Sequence, residues 1–176
     1  MSASSMLSTW LAAWTGRVSQ ALAAMTADFE RRHGFPPGVN EVRPASCGDQ
    51  AAARALARAG RIPADLAAFY DSIGGLVWPD VGNGIFLDSA GDALRRLQEF
   101  GTVDVGTGPE ALGLVIGSNG GGLSYVATRD GKVHRTRDPS LDEPEFDQVA
   151  GGLRHFLELL EASLTRFVTD GEPGPW

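Results

Sequence analysis

The chain has one cysteine, Cys47, so no disulfide can close within it. A reducing compartment suits such a chain. Cys47 stands in Ser46-Cys47-Gly48-Asp49, just ahead of a predicted helix. A helix N-terminus lowers a thiol pKa, but no histidine is close in sequence to act as base, and the residue reads as a bystander near a cap. Histidine is scarce too: His33, His134 and His155 fall in three different predicted elements. With no His-x-x-x-His pair and no Cys-x-x-Cys, no metal-ligand spacing is present, and neither a metal nor a cofactor is expected. Nor is there a run approaching the ~20 apolar residues of a membrane span. No base precedes Arg17, and Ser8, Thr9, Thr15 and Gly16 interrupt the first apolar positions. That is not the pattern of a secretory signal, and a cytoplasmic protein is expected.

Positive charge is also in short supply. Fifteen Lys and Arg stand against 22 Asp and Glu, a formal net charge of −7. This disfavours a nucleic-acid binder, which needs a basic surface to displace counterions from phosphate. It is compatible with a basic partner, since opposite fields speed encounter, and equally with plain solubility. The 176 residues are 43% hydrophobic and 21% charged, enough for one soluble domain with a sizeable core.

The usual catalytic signatures are missing as well. Gly117-Ser118-Asn119-Gly120-Gly121-Gly122 is followed by Leu123-Ser124, without the lysine of a Walker loop. It leads into a predicted strand and not a helix, so no helix N-terminus faces a phosphate there, and the same holds after Gly82-Asn83-Gly84. No Gly-x-Ser-x-Gly occurs, and no spacing singles out two of the many carboxylates. The sequence names no enzyme machinery, and a non-catalytic role is the expectation.

What is present is a sequence of clear elements. Leu7, Leu11, Trp14, Val18, Leu22, Met25 and Phe29 recur at spacings of four and three, an amphipathic helix running to about Arg32. Its stripe is too continuous to face water and should pack on its own domain or on a second copy. A second helix is expected after Asp49, whose carboxylate can cap it, and Gly60 stops it. Ile62-Pro63 opens a third, which Gly74-Gly75 should end. Short strands are predicted at 76–78 and 85–87, then a helix from Asp92 through Phe100. The apolar run Leu112 to Ile116 enters the glycine bend and Leu123 to Thr128 leaves it, with Asp130-Gly131 turning the chain into Lys132 to Thr136. Asp138, Asp142, Glu143, Glu145 and Asp147 form an acid-only stretch that, with two prolines, reads as a loop. A last helix is expected over about Gln148 to Val168, and the tail 171–176 should be frayed. Helices flanking a block of short strands define an α+β class.

Three segments resemble the SUKH superfamily, which includes fungal cell-wall-synthesis regulators and many bacterial immunity proteins. They are Ile62-Pro63 through Gly74-Gly75, Leu114 to Tyr125, and Val149 to Leu160 with its Phe156-Leu157 pair. The first has Ile73 where the family usually has asparagine. The second has Leu123-Ser124 where many relatives carry an acid after the last glycine. The resemblance covers about residues 45 to 168, so the chain divides into a helix and linker (1–44), a SUKH-like domain (45–170) and the tail. It implies a mixed or antiparallel sheet packed on helices and, for a bacterial member, binding and neutralisation of a toxin, often a nuclease. The alternative it implies is a regulatory scaffold like the fungal members.

Candidate partner-binding residues are Trp78, Asp80, Asn83, Asp88, Asn119 and Tyr125, with Asp142, Glu143 and Glu145 of the acid stretch. Trp78 and Tyr125 read at least as well as core aromatics, and Asp88 as the cap of the next turn. Gly74, Gly75, Gly120, Gly121 and Gly122 are expected to be structural, with at least one of the last three at positive φ. The expected partner is a basic toxin domain, with no nucleic acid and no membrane bound, and the first helix offers a route to a homo-oligomer.

Overall fold

A computed structural model describes residues 3–60, 62–106, 108–142 and 144–174. Among these, the chain forms five α-helices and eight strands in one antiparallel sheet, an α+β fold. None of the helices is long and apolar enough to cross a membrane.

Helix α1 (Ala3–His33) buries the predicted stripe: Leu11, Trp14, Val18, Leu22, Met25 and Phe29 are all inside. The stripe packs against the chain's own domain. The Trp14 indole N–H donates to the Leu157 carbonyl at 3.0 Å, and Arg17 grips Glu161 through two bonds of 2.6 and 2.9 Å. At roughly 1.5–3 kcal/mol for each buried side chain, these six contribute on the order of 10 kcal/mol. That equals the whole net stability of a typical domain. Helix α1 therefore shares one core with the rest of the fold, and all five helices contribute to it.

After α1, Gly34 takes φ +80 and closes the helix with its N–H on Glu30. Strand β1 (Glu41–Pro44) follows, in a stretch expected to be linker. Helix α2 (Cys47–Arg58) is capped by Ser46, whose hydroxyl accepts from the Asp49 N–H, while the Asp49 carboxylate accepts from the Ser46 N–H. Asp49 is thus the third-position partner of a capping box and not the cap itself.

Helix α3 (Ala64–Ser72) runs straight into β2 (Ile73–Trp78). Gly74 and Gly75 do not form a stop after the helix; they are the second and third residues of that strand. Their lack of side chains has a different cause. A Cβ on Gly74 would lie 2.7 Å from the Pro44 carbonyl oxygen and against the Arg43 guanidinium, and Gly75 adopts φ +141. Arg43 threads this gap, bonding Gly74 O and pairing with Asp49 at 2.8 Å.

Strand β3 (Ile85–Leu87) is followed by α4 (Ala90–Phe100), whose N-cap is Ser89. The short β4 (Val103–Asp104) and a 3-10 turn at Pro109–Ala111 lead to β5 (Leu112–Asn119). Strands β6 (Ser124–Thr128), β7 (Val133–Thr136) and β8 (Phe146–Ala150) form the remaining meander. The sheet order is β1-β2-β3-β5-β6-β7-β8, with β4 also on β5. β3 pairs with Gly117 to Asn119 and β4 with Leu112 and Gly113, so the two lie one beyond the other along the same edge of β5.

Helix α5 (Leu153–Asp170) begins five residues later than predicted. Val149 sits four residues before Leu153 and fits a helical stripe, yet 146–150 pairs with β7 as a strand. The tail also differs from expectation. Gly171 turns the chain in the left-handed region (φ 80, ψ 0), and Pro173 lies back on the fold, its carbonyl accepting from Ser163 Oγ at 3.3 Å and Arg166 Nε at 3.0 Å. Residues 175 and 176 lie outside the described chain.

Candidate functional site

Antiparallel order gathers the loops. The register pairs Glu41 with Val77, Trp78 with Ile85, Ile85 with Asn119, and Tyr125 with Arg135. Four connections therefore emerge at one end of the sheet: residues 34–40, 79–84, 120–123 and 137–145. The tail joins them, since a Cβ on Gly82 would meet the Pro173 ring at 2.7 Å.

Each loop is held by chemistry its own residues dictate. Asp80 is a brace. Its carboxylate accepts from the Gly38 N–H at 2.7 Å and from Asn40 Nδ2 at 2.6 Å, tying the 34–40 connection to the Trp78-Pro79-Asp80 turn. The β5–β6 connection closes between Asn119 and Leu123: Asn119 N–H donates to Leu123 O, and Asn119 Oδ1 accepts from Leu123 N–H, both at 2.9 Å. Within it, Gly122 has φ +86. Gly120 is required for space, because a Cβ there would fall 1.5 Å from the Asn83 carbonyl oxygen. Gly121 is different, meeting only the tip of Asn119 at 3.3 Å.

Between these loops lies a cleft of about 340 Å³ lined by Asn83, Asn119, Tyr125, Arg135, Ser163 and Pro173, among others. Three of the expected site residues, Asn83, Asn119 and Tyr125, thus share one concavity. Asn83 is exposed and Asn119 half-buried. Tyr125 forms the floor. It is 1% exposed, sits edge-on to Phe156 with ring centroids 5.1 Å apart, and its phenol is pushed up to about 12 by burial. Arg135 and Ser163 were not legible as cleft residues. Arg135 alternates within a short hairpin strand with nothing in its neighbours to mark it, and Ser163 lies on the buried face of α5, fixed to the tail it helps hold.

Two of the expected contact residues, Trp78 and Asp88, do not line this cleft. Trp78 is completely buried, its indole N–H without a hydrogen-bond partner among the described residues, and it belongs to the core. Asp88 leaves β3 at the opposite end of the sheet. It pairs with Arg96 at 3.1 Å, its N–H donates to Ile116 O at 2.8 Å, and burial raises its carboxyl pKa. It is not the cap of α4; Ser89 is.

The acid stretch borders the glycine bend. Pro139 lies 3.3 Å from where a Gly122 Cβ would project. Asp142 and Glu145 are exposed, and Glu143 lies outside the described residues. The stretch is less one-signed than its sequence. Arg137, one residue before it, bonds Glu145 at 2.8 Å and Asp147 at 2.8 and 3.0 Å, and lowers the Asp147 pKa. Asp138 and Asp142 make no ion pair among the described residues. Asp138 instead accepts from the Ser140 N–H at 2.9 Å. The last two residues of the stretch, Phe146 and Asp147, are strand and not loop.

Chemically, the arrangement offers hydrogen-bonding amides, one cation and an apolar floor beside a net-negative loop. Among the described residues, no three His, Cys, Asp or Glu cluster as metal ligands. No protein-family model and no curated protein sequence matches the chain.

Proposed function

We propose that this is a non-catalytic protein-binding domain whose loop end docks on and blocks a basic partner, most specifically a bacterial toxin domain that acts on nucleic acid. The observation that carries this reading is the convergence of four loops and the tail on one end of the sheet, with a cleft beside a net-negative loop. A toxin that holds phosphates needs Lys and Arg. Carboxylates placed where phosphates would sit can cover them, and opposite charges speed the encounter. The resemblance to SUKH immunity proteins supports the same reading, as does the net charge of −7.

The test is affinity capture from the native cell with the full chain as bait, identified by mass spectrometry. The wild type should retain one basic protein, and a bait with Asp138, Asp142, Glu145 and Asp147 changed to amides should retain much less. Several unrelated partners, or an acidic one held equally by both baits, would favour a regulatory scaffold and reject the toxin reading.

A further inference from the structure

A second surface lies apart from the cleft. Among the described residues, strand β1 ends the sheet and has no strand on its outer side. Helix α1 runs beside it, and two hollows of about 430 and 520 Å³ open between them. Val42 lines both, while Ala12 walls one and Ser19 and Ala23 the other. From Leu7 to Ala27 the sole charged residue is Arg17, and that one is held by Glu161. An exposed helix side without charge is unusual on a protein of charge −7, where two copies repel unless their contact is neutral or complementary.

The edge itself is self-complementary. Glu41 and Arg43 project from the same face of β1, two residues apart. A two-fold axis through Val42 sets each Glu41 directly opposite Arg43 of the other copy, where opposite charges are favourable; the Arg43 guanidinium already pairs with Asp49 of its own chain, so Glu41 adds a second carboxylate beside it and does not displace the first. Glu41 has no ion pair among the described residues, so it is available for this. The register is also confined. Pro44 has no N–H to give, and the β1–β2 ladder shifts between Arg43 and Pro44, so pairing stops at Arg43. A pair limited in this way closes on itself and cannot propagate.

We propose that this strip binds a second copy of the chain, joining two β1 edges antiparallel and laying the two α1 helices side by side. At ~1.5 Å per residue the strip is ~30 Å long, and with two elements of width it buries on the order of 600 Å² per copy. That approaches the ≈ 800 Å² per partner of standard interfaces. The proposal does not depend on the docking function, because the residues lining the cleft and those lining the strip do not overlap.

Sedimentation equilibrium of the full chain across a concentration series tests it. The wild type should sediment as a monomer–dimer system. Ala23→Arg adds a bulky charge at an exposed helix position, and Glu41→Arg opposes two arginines across the axis. Each should weaken the dimer about tenfold or more while the far-ultraviolet circular dichroism of the folded chain is unchanged. Asp142→Asn, at the loop end, should leave the mass alone. A wild type that is monomeric at every concentration overturns the proposal, as does a dimer indifferent to both substitutions. Should Ala23→Arg fail to fold, Glu41→Arg decides alone.

Discussion

The two ends of the sheet use the same residue types in opposite ways. At the end holding Asp88, four acids, Asp88 among them, have a local cationic partner. Asp130 in the β6–β7 turn is held at about 2 by Lys132 and by the Thr128 hydroxyl. Asp49 is held at about 2 by Arg43, helped by Ser46. Asp92 bonds both the Ser89 hydroxyl and Arg95. At the loop end, Asp138 and Asp142 have no cationic partner among the described residues, and Gly120 presses against Asn83 to bring two loops together. One end is finished by its own turns. The other is assembled from several distant segments and leaves charge and a cleft facing outward. Structural economy explains the first, and the proposed docking role would make use of the second.

Breaking the assembled end should cost most. Gly120→Ala forces Asn83 and the 79–84 loop to move, and a loss of about 2 kcal/mol or more is expected, read as a lower denaturation midpoint. Gly131→Ala, in the opposite turn at φ +90 with open space around it, should cost about 1 kcal/mol from backbone strain alone. Gly122→Ala should fall between them, with both positive φ and the Pro139 contact, while Gly121→Ala should be nearly neutral. If the three bend glycines prove equivalent, the steric account of this loop fails.

Next in size are the locally paired acids. The folded pKa of Asp49 lies below its unfolded value, so its contribution is present above about pH 4 and is lost as pH falls toward 2. An acid titration of the wild type should show this loss. Asp49→Asn should be less stable at neutral pH and flatter across the same window. Ser46→Ala, which removes the other half of the box, should cost about 1 kcal/mol. Smallest is the effect of neutralising the exposed loop acids. Asp138→Asn and Asp142→Asn together should change stability by no more than about 0.5 kcal/mol, because neither makes an ion pair that holds the fold. A large loss there would make the loop structural.

Much of this was readable in the chain because it rests on short-range pattern. The α1 stripe, strand β3 and the hairpin around Asp130-Gly131 follow from periodicity and turn chemistry, and the structure places them where those signals do. What was not readable depends on contacts across the fold. β1 is four residues with no alternation long enough to stand out, and it exists because β2 pairs with it. β8 hides behind a helical spacing from Val149 to Leu153. Asn83, Asn119 and Tyr125 could be named from glycine-rich surroundings, but their meeting in one cleft depends on the β3–β5 register. Asp80 and Asp88 looked alike in sequence. Only tertiary position makes the first a brace at the loop end and the second a half-buried acid at the far one.

The most direct test is kinetic. The association rate of the captured partner should be measured across a salt series, with the wild-type chain and with the variant in which Asp138, Asp142, Glu145 and Asp147 are amides. A docking surface built on the loop end predicts a wild-type rate that falls steeply with salt, and a variant that is slower at low salt and much flatter. Rates that coincide for the two chains at every salt concentration would contradict it.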